Sequence, residues 1–198
     1  GKSTLLKALN GDVPATSGRV LIHGIDLYAN YDYLKRLIGY VPQDDIVHKE
    51  LTVEQSLFYA AKLRLSGDVS DEDIRKKIDA VLANLNIADA ELRHRRVGEL
   101  SGGQRKRISI AVELLTDPSV LFLDEPTSPL DPETIEEFLL CLQSLARKGT
   151  TIVMVTHKPD DLYYVDNVLF LSKGGFLTYY GAKTGYLEFF GAKNVIEV

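Results

Sequence analysis

The first four residues, Gly1-Lys2-Ser3-Thr4, set a glycine, an ammonium and two hydroxyls at the head of a stretch carrying Leu5, Leu6 and Leu9. This is the second half of the phosphate-cradling pattern G-x-x-x-x-G-K-[ST]. In that pattern backbone N–H groups at a helix start receive phosphate oxygens, the lysine offsets their charge, and a hydroxyl reaches Mg²⁺. Taken alone, the four residues describe an ordinary helix start equally well. A second chemistry stands at Val120-Leu121-Phe122-Leu123-Asp124-Glu125, where an apolar run ends in two acids. A buried strand of this kind delivers its carboxylates to the C-terminal edge of a sheet, where α/β folds bind ligands. Asp124 would hold Mg²⁺ there, directly or through water, and Glu125 would orient or deprotonate an attacking water. The plainer alternative is a strand running into a solvated acidic turn.

The third element is Leu100-Ser101-Gly102-Gly103-Gln104. Ser101 and Gln104 have the S-x-x-Q spacing of a capping box, so a helix is expected to start here, with Ile108, Ala111, Val112 and Leu115 as its apolar stripe. Two glycines at its first turn allow backbone N–H groups to approach a ligand closely, and a positively polarised helix end favours an anion. A capped surface helix with a glycine-rich entry is the competing reading. It accounts for the helix and leaves the double glycine without a reason.

These residues need a scaffold, and the chain alternates strand-like with helix-like stretches from end to end, the pattern of an α/β domain. Arg19–Ile22, Leu37–Val41, Val120–Leu123 and Thr151–Thr156 read as strands, mostly without in/out alternation, as expected of a parallel sheet buried on both faces. Val168–Leu171 and Phe176–Tyr180 flank Lys173-Gly174-Gly175 and read as a hairpin. Helices are expected over Lys2–Leu9, from Thr52 to about Leu65, from Ser70 to about Leu85, and from Asp131-Pro132 to Gly149. The stretch 44–115 is then nearly all helical, a helical subdomain inserted into an α/β core.

The 198 residues suit one domain. Apolar residues at 45% and charged residues at 26% exclude a disordered or fibrous chain. With 23 Lys and Arg against 28 Asp and Glu the net charge is −5, which disfavours gripping nucleic acid by bulk charge. The lone cysteine, Cys141, excludes a disulfide framework and a cysteine-based zinc site, and fits a reducing compartment. No apolar run approaches the ~18 residues that cross a bilayer. The basic cluster Arg93, His94, Arg95, Arg96, Arg105, Lys106 and Arg107 lacks interleaved aromatics for base stacking. A solvated helix face and a collar around nucleotide phosphates both remain open for it.

LSGGQ followed about twenty residues later by Asp124-Glu125-Pro126 resembles the signature and Walker B elements of ABC-type ATPases. Further positions then match in order. Gln43 in Tyr40-Val41-Pro42-Gln43 resembles the Q-loop glutamine, and His157, after the 151–156 strand, the switch histidine. Ser128-Pro129-Leu130-Asp131 resembles the D-loop, with Pro129 where a small residue is more usual. The resemblance spans nearly the whole chain. It implies a P-loop NTPase fold with a mostly parallel sheet, whose N-terminal β-subdomain is largely missing because the sequence opens inside Walker A.

The resemblance also implies ATP and Mg²⁺ as cofactors and a head-to-tail dimer with a second ABC ATPase domain. Each ATP then lies between one subunit's Gly1, Lys2, Ser3 and Thr4 and the other's Ser101, Gly102, Gly103 and Gln104, with D-loop Asp131 at the interface. Ser3, Gln43 and Asp124 are implied as the metal set, and Glu125, His157 and Gln43 as the catalytic set. Leu51–Leu65, Arg105-Lys106-Arg107 and the aromatic tail Gly174–Phe190 look like White-type exporters and their bacterial relatives. Those carry a transmembrane permease domain and often move lipids, sterols or other amphipathic compounds. The implied place is the cytoplasmic face of a membrane, with the permease on the same or a separate chain and no nucleic-acid partner. A soluble ABC ATPase acting on nucleic acid or ribosomes, and a fragment that no longer turns over ATP, are the alternatives. If Gly1 is the true chain start, weak nucleotide binding and negligible turnover are expected.

Overall fold

Glycine-punctuated apolar runs make the strands, and longer amphipathic runs make the helices. The order is α1 (Lys2–Leu9), β1 (Leu21–Ile22), β2 (Ile25–Asp26), α2 (Tyr31–Leu34), β3 (Ile38–Val41), α3 (Val53–Arg64), α4 (Asp71–Asn84) and α5 (Ala90–His94). It continues with α6 (Gly102–Leu114), β4 (Val120–Asp124), α7 (Pro132–Arg147), β5 (Thr151–Val155), β6 (Asn167–Leu171), β7 (Leu177–Ala182) and α8 (Tyr186–Phe190). The computed structural model describes residues 1–44, 46–87 and 89–197.

The frame of the molecule is the parallel sheet β3-β4-β5. Val41 lies opposite Leu123, and Asp124 opposite Val155, so the chain leaves all three strands at one edge. Leu121, Phe122, Leu123 and Asp124 of β4 are all buried, as a central strand covered on both faces requires. Helix α1 lies against β4 and β5, and α7 packs on β5 through its apolar side. Phe138, Leu139, Cys141, Leu142 and Leu145 of α7 are buried. The helix starts where the Asp131 carboxylate accepts from the Thr134 N–H with Pro132 in the first turn, and ends before Gly149 at φ +108°.

Among the described residues the elements between β3 and β4 are helices, α3 to α6 and a 3₁₀ turn at Val97–Glu99, with one isolated antiparallel bridge between Thr52 and Arg96. Their inner faces join one core: Leu57 and Ala61 of α3, Ile78 and Leu82 of α4, and Ile108 and Ala111 of α6 are fully buried. The leucine and isoleucine side chains among them contribute roughly 1.5–3 kcal/mol each on burial. The stretch Arg19–Ile22 forms a two-residue strand of a separate hairpin rather than part of the main sheet. The turn His23-Gly24, with φ +51° and +78°, folds Leu21–Ile22 back on Ile25–Asp26 before it can reach a sheet edge. The hairpin expected near Lys173-Gly174-Gly175 is present as antiparallel β6 and β7. Among the described residues no helix is long and apolar enough to cross a membrane.

Candidate functional site: carboxyl ends of three parallel strands

Helix α1 begins at Gly1, and among the described residues no side chain caps its first turn. Buried Leu6 anchors the helix while Lys2 and Thr4 face solvent. The Ser3 hydroxyl donates to Asp124 Oδ1 at 3.2 Å, joining residues 121 positions apart. Asp124 is itself buried at the end of β4. A hydroxyl and a carboxylate side by side are hard oxygen donors of the type Mg²⁺ prefers, and Mg²⁺ takes few protein ligands when phosphates complete its shell. Among the described residues no three His, Cys, Asp or Glu side chains gather into an all-protein metal cage. The donor set fits Mg²⁺ held jointly with phosphate.

One residue further, Glu125 adopts φ +48°. For a side chain other than glycine this left-handed conformation costs about 1–2 kcal/mol. It is held by the Glu125 N–H donating to Val155 O at 3.0 Å and by Ser128 N–H closing a turn on Glu125 O at 3.1 Å. The outcome is a carboxylate turned toward the end of β5, where Glu125 Oε2 lies 3.1 Å from His157 Nδ1. With Nδ1 engaged by Glu125, the other ring nitrogen is the one left to face a ligand.

The loop carrying His157 is fixed from beneath by a residue that sequence reasoning passed over. Asp161 is fully buried, and its Oδ2 accepts from Thr127 Oγ1 at 2.8 Å and Thr156 Oγ1 at 2.5 Å. Lys158 Nζ adds a bond to Thr127 O at 2.6 Å. Together these pin the segment after Glu125 to the segment around His157. The acid at Asp161 follows the strand within a Pro-Asp-Asp turn, and only its pairing with two distant hydroxyls marks it out. Gln43 is exposed two residues beyond β3, on the same edge as Asp124 by strand register.

The signature is built differently. Ser101 caps α6 with a closed capping box: its hydroxyl accepts from Gln104 N–H, and Gln104 Oε1 accepts from Ser101 N–H. The two glycines now have a reason within the chain. A Cβ on Gly102 would stand 2.9 Å from Pro129 O, and one on Gly103 would stand 2.6 Å from Thr134 Cγ2. The D-loop lies directly on the signature of its own chain, with Pro129 in the contact. Asp131 bonds both the Thr134 hydroxyl and N–H, which hold its carboxyl below the ordinary value. Among the described residues no hydrogen bond joins Ser101–Gln104 to Lys2–Thr4. The structure therefore brings together Ser3, Asp124, Glu125 and His157 and places Gln43 on their edge, and among the described residues no hydrogen bond joins the side chains of Ser101, Gln104 or Asp131 to that group.

The basic cluster resolves largely into structural partners. Arg93 pairs with Asp79 at 2.6 Å, Arg95 donates to Glu99 O, Arg107 reaches Glu137, and Lys106 is buried. A groove of about 400 Å³ opens between α3, α6 and the segment after β3, lined by Pro42, Ile46, Val47, Tyr59, Leu63 and Val112. Ile46 and Leu63 are 65% and 87% exposed.

A glycine-led helix start, a hydroxyl–carboxylate pair and a strained glutamate beside a histidine, all at one edge of a parallel sheet, are the arrangement of a P-loop fold. The family profile described as "ABC transporter" matches residues 1–128, and the chain belongs to that family. An ABC transporter ATP-binding/permease protein of Mycobacterium tuberculosis is 44% identical over 186 residues, 93% of this chain and 21% of its own length. The pig broad substrate specificity ATP-binding cassette transporter ABCG2 is 40% identical over 187 residues, 91% of this chain and 28% of its own. The chain thus spans between about a fifth and just over a quarter of the length of these relatives. Among solved structures, Clostridium perfringens cbiO1, part of an ABC transporter complex, matches 99% of this chain and 77% of its own at 34% identity and a TM-score of 0.84. A dimeric ATP-binding cassette bound to ADP and Pi matches 92% of this chain and 81% of its own at 27% identity and a TM-score of 0.78.

Proposed function

We propose that this chain binds and hydrolyses Mg-ATP as one half of a head-to-tail pair of ABC ATPase domains, and that the cycle drives export through a transmembrane permease domain at the cytoplasmic face of a membrane. The observation that carries the reading is the joining of Ser3 to Asp124 beside the Glu125–His157 pair. In this reading Lys2 and the first N–H groups of α1 take the β- and γ-phosphates, while Ser3, Asp124 and Gln43 hold the metal. Bound Mg²⁺ supplies charge neutralisation to the phosphates. Glu125 orients or deprotonates the attacking water, and His157 contacts the γ-phosphate with the nitrogen that Glu125 does not occupy. Ser101, Gly102 and Gly103 face the ATP held by the partner domain, with Gln104 fixing their helix and Asp131 at the interface. Hydrolysis removes the group bridging the two faces, so nucleotide state becomes dimer state.

The stretch 44–115 acts as a helical subdomain that swings the signature. Its exposed apolar groove supports a permease contact, because a soluble face seldom leaves Ile46, Tyr59 and Leu63 uncovered together. The cargo class is amphipathic: lipids, sterols or similar compounds, as in the White-type branch. The deciding experiment is Glu125→Gln in the full-length protein. Turnover is expected to fall by about 10²–10⁴-fold, the range of a positioned acid–base group, while ATP-bound dimers accumulate on size-exclusion chromatography. Retained hydrolysis would remove Glu125 from this role.

A further inference from the structure

We propose that Lys106 is a positioning residue that ties the Gln43 loop of one nucleotide site to the signature offered to the other; the proposal rests on the ATP-dependent pair described above. Lys106 stands two residues after Gln104 on α6 and is fully buried. An ammonium withdrawn from water is strongly unfavourable unless hydrogen bonds replace its hydration. Its Nζ donates to Pro42 O at 3.2 Å and to Gln43 O at 2.9 Å, spanning more than sixty positions of sequence. Both carbonyls lie just past the end of β3, beyond the last ladder pair of Val41 with Leu123.

The geometry makes the bond a mechanical link. Hydrogen bonds weaken steeply beyond about 3.2 Å, so a shift of the Gln43 backbone of even an ångström must either break both contacts or move the first two turns of α6. Those turns carry Gly102 and Gly103. A second tie further along the same helix keeps α6 from pivoting: the Glu113 carboxylate accepts from Tyr40 N–H at 3.3 Å and from Arg64 at 2.7 Å. Gln43 belongs to the site that holds ATP in its own chain, whereas the signature serves the partner's. Lys106 therefore reports metal-site occupancy on one side to the phosphate contacts on the other. An aliphatic residue would fill the same space, but it would take both donors away from the Pro42 and Gln43 carbonyls.

The test uses the full-length protein and Lys106→Met, which keeps the stem and removes the donors. ATP affinity measured without turnover is expected within twofold of wild type, and kcat lower by about 10- to 100-fold, the scale on which misplacement acts. In a Gln43→Ala background the same substitution is expected to have no further effect, because the two act through one loop. Wild-type turnover, full additivity with Gln43→Ala, or a parallel loss of binding and melting temperature each overturns the proposal. Should Lys106→Met not fold, Lys106→Gln, with two N–H donors on a shorter uncharged stem, takes its place in the same cycle and under the same outcomes. Glu125→Gln runs alongside as the control: if it too leaves hydrolysis intact, the ATPase reading has failed rather than the link.

Discussion

Two helix starts in this chain meet the same physical requirement in opposite ways. Among the described residues no side chain caps the start of α1 at Gly1, whereas α6 closes its own start with the Ser101–Gln104 box. An α-helix end left open needs an external acceptor, and one that caps itself is stable without it. A third start sharpens the contrast. Helix α3 carries the same closed box at Thr52 and Gln55, far from any phosphate residue. The capping box is thus a general device of this fold. What distinguishes the signature is the pair of glycines behind the box and the loop pressed against them.

The largest effect expected from this contrast comes from Ser101→Arg. A long cation where the partner's phosphate must approach is expected to lower turnover by about 10²-fold or more, the scale of losing an oriented donor in the transition state. ATP affinity of the single domain is expected to stay within twofold, because the open end of α1 is untouched. Loss of both on the same sample would place the signature and the phosphate cradle in one site and erase the distinction.

Gly103→Ala asks whether the signature glycines serve packing within the chain. Its Cβ would meet Thr134 Cγ2 at 2.6 Å, an overpacking of about 1–3 kcal/mol. For a chain of this size that lowers Tm by about 2–4 °C per kcal/mol. Adding Thr134→Ser removes the methyl and keeps the hydroxyl that bonds Asp131, so thermal stability is expected to return. A Gly103→Ala protein that melts like wild type would leave ligand approach as the sole reason for the glycine. Ser101→Ala and Thr52→Ala should then each cost about 1 kcal/mol in Tm measurements, the value of an N-cap. A much larger loss at Ser101 alone would show that the signature cap is more than the general device.

The parallel strands, the long helices and the acids that end β4 are legible in the sequence because each depends on local spacing. Apolar runs ending in Asp124-Glu125, the two capping boxes and Asp131-Pro132 all announce themselves within six residues. The chain missed by that reading is the chain that depends on distance. Asp161 is defined by hydroxyls on Thr127 and Thr156, and Lys106 by carbonyls of Pro42 and Gln43. Lys106 in particular sat inside a run of arginines that reads as a solvated face, yet it is the one buried among them. The strand at Arg19–Ile22 went astray for a related reason: β-branched composition says nothing of the His23-Gly24 turn that takes the segment into its own hairpin. The double glycine was attributed to ligand approach, since nothing in the local sequence could place Pro129 and Thr134 against it.

The smallest expected effect concerns the floor under the signature. The Thr134 hydroxyl, and then its N–H, stabilise the charged form of Asp131 and hold its carboxyl below the ordinary range. A group whose folded value is depressed contributes stability that is fully present above the unfolded value near 4. That contribution is lost as pH falls through the folded value, because protonation then weakens the cap of α7 and loosens Thr134 beneath Gly103. Asp131→Asn keeps a side-chain acceptor for the helix start, so Tm at pH 7 is expected to change little. The difference should appear only in acid, where the variant lacks this part of the fall in Tm below about pH 4. Urea melts from pH 7 to pH 3 on the two proteins decide it: parallel acid limbs would mean that Asp131 acts at this junction as a neutral acceptor, and that the signature rests on packing against Pro129 and Thr134 alone.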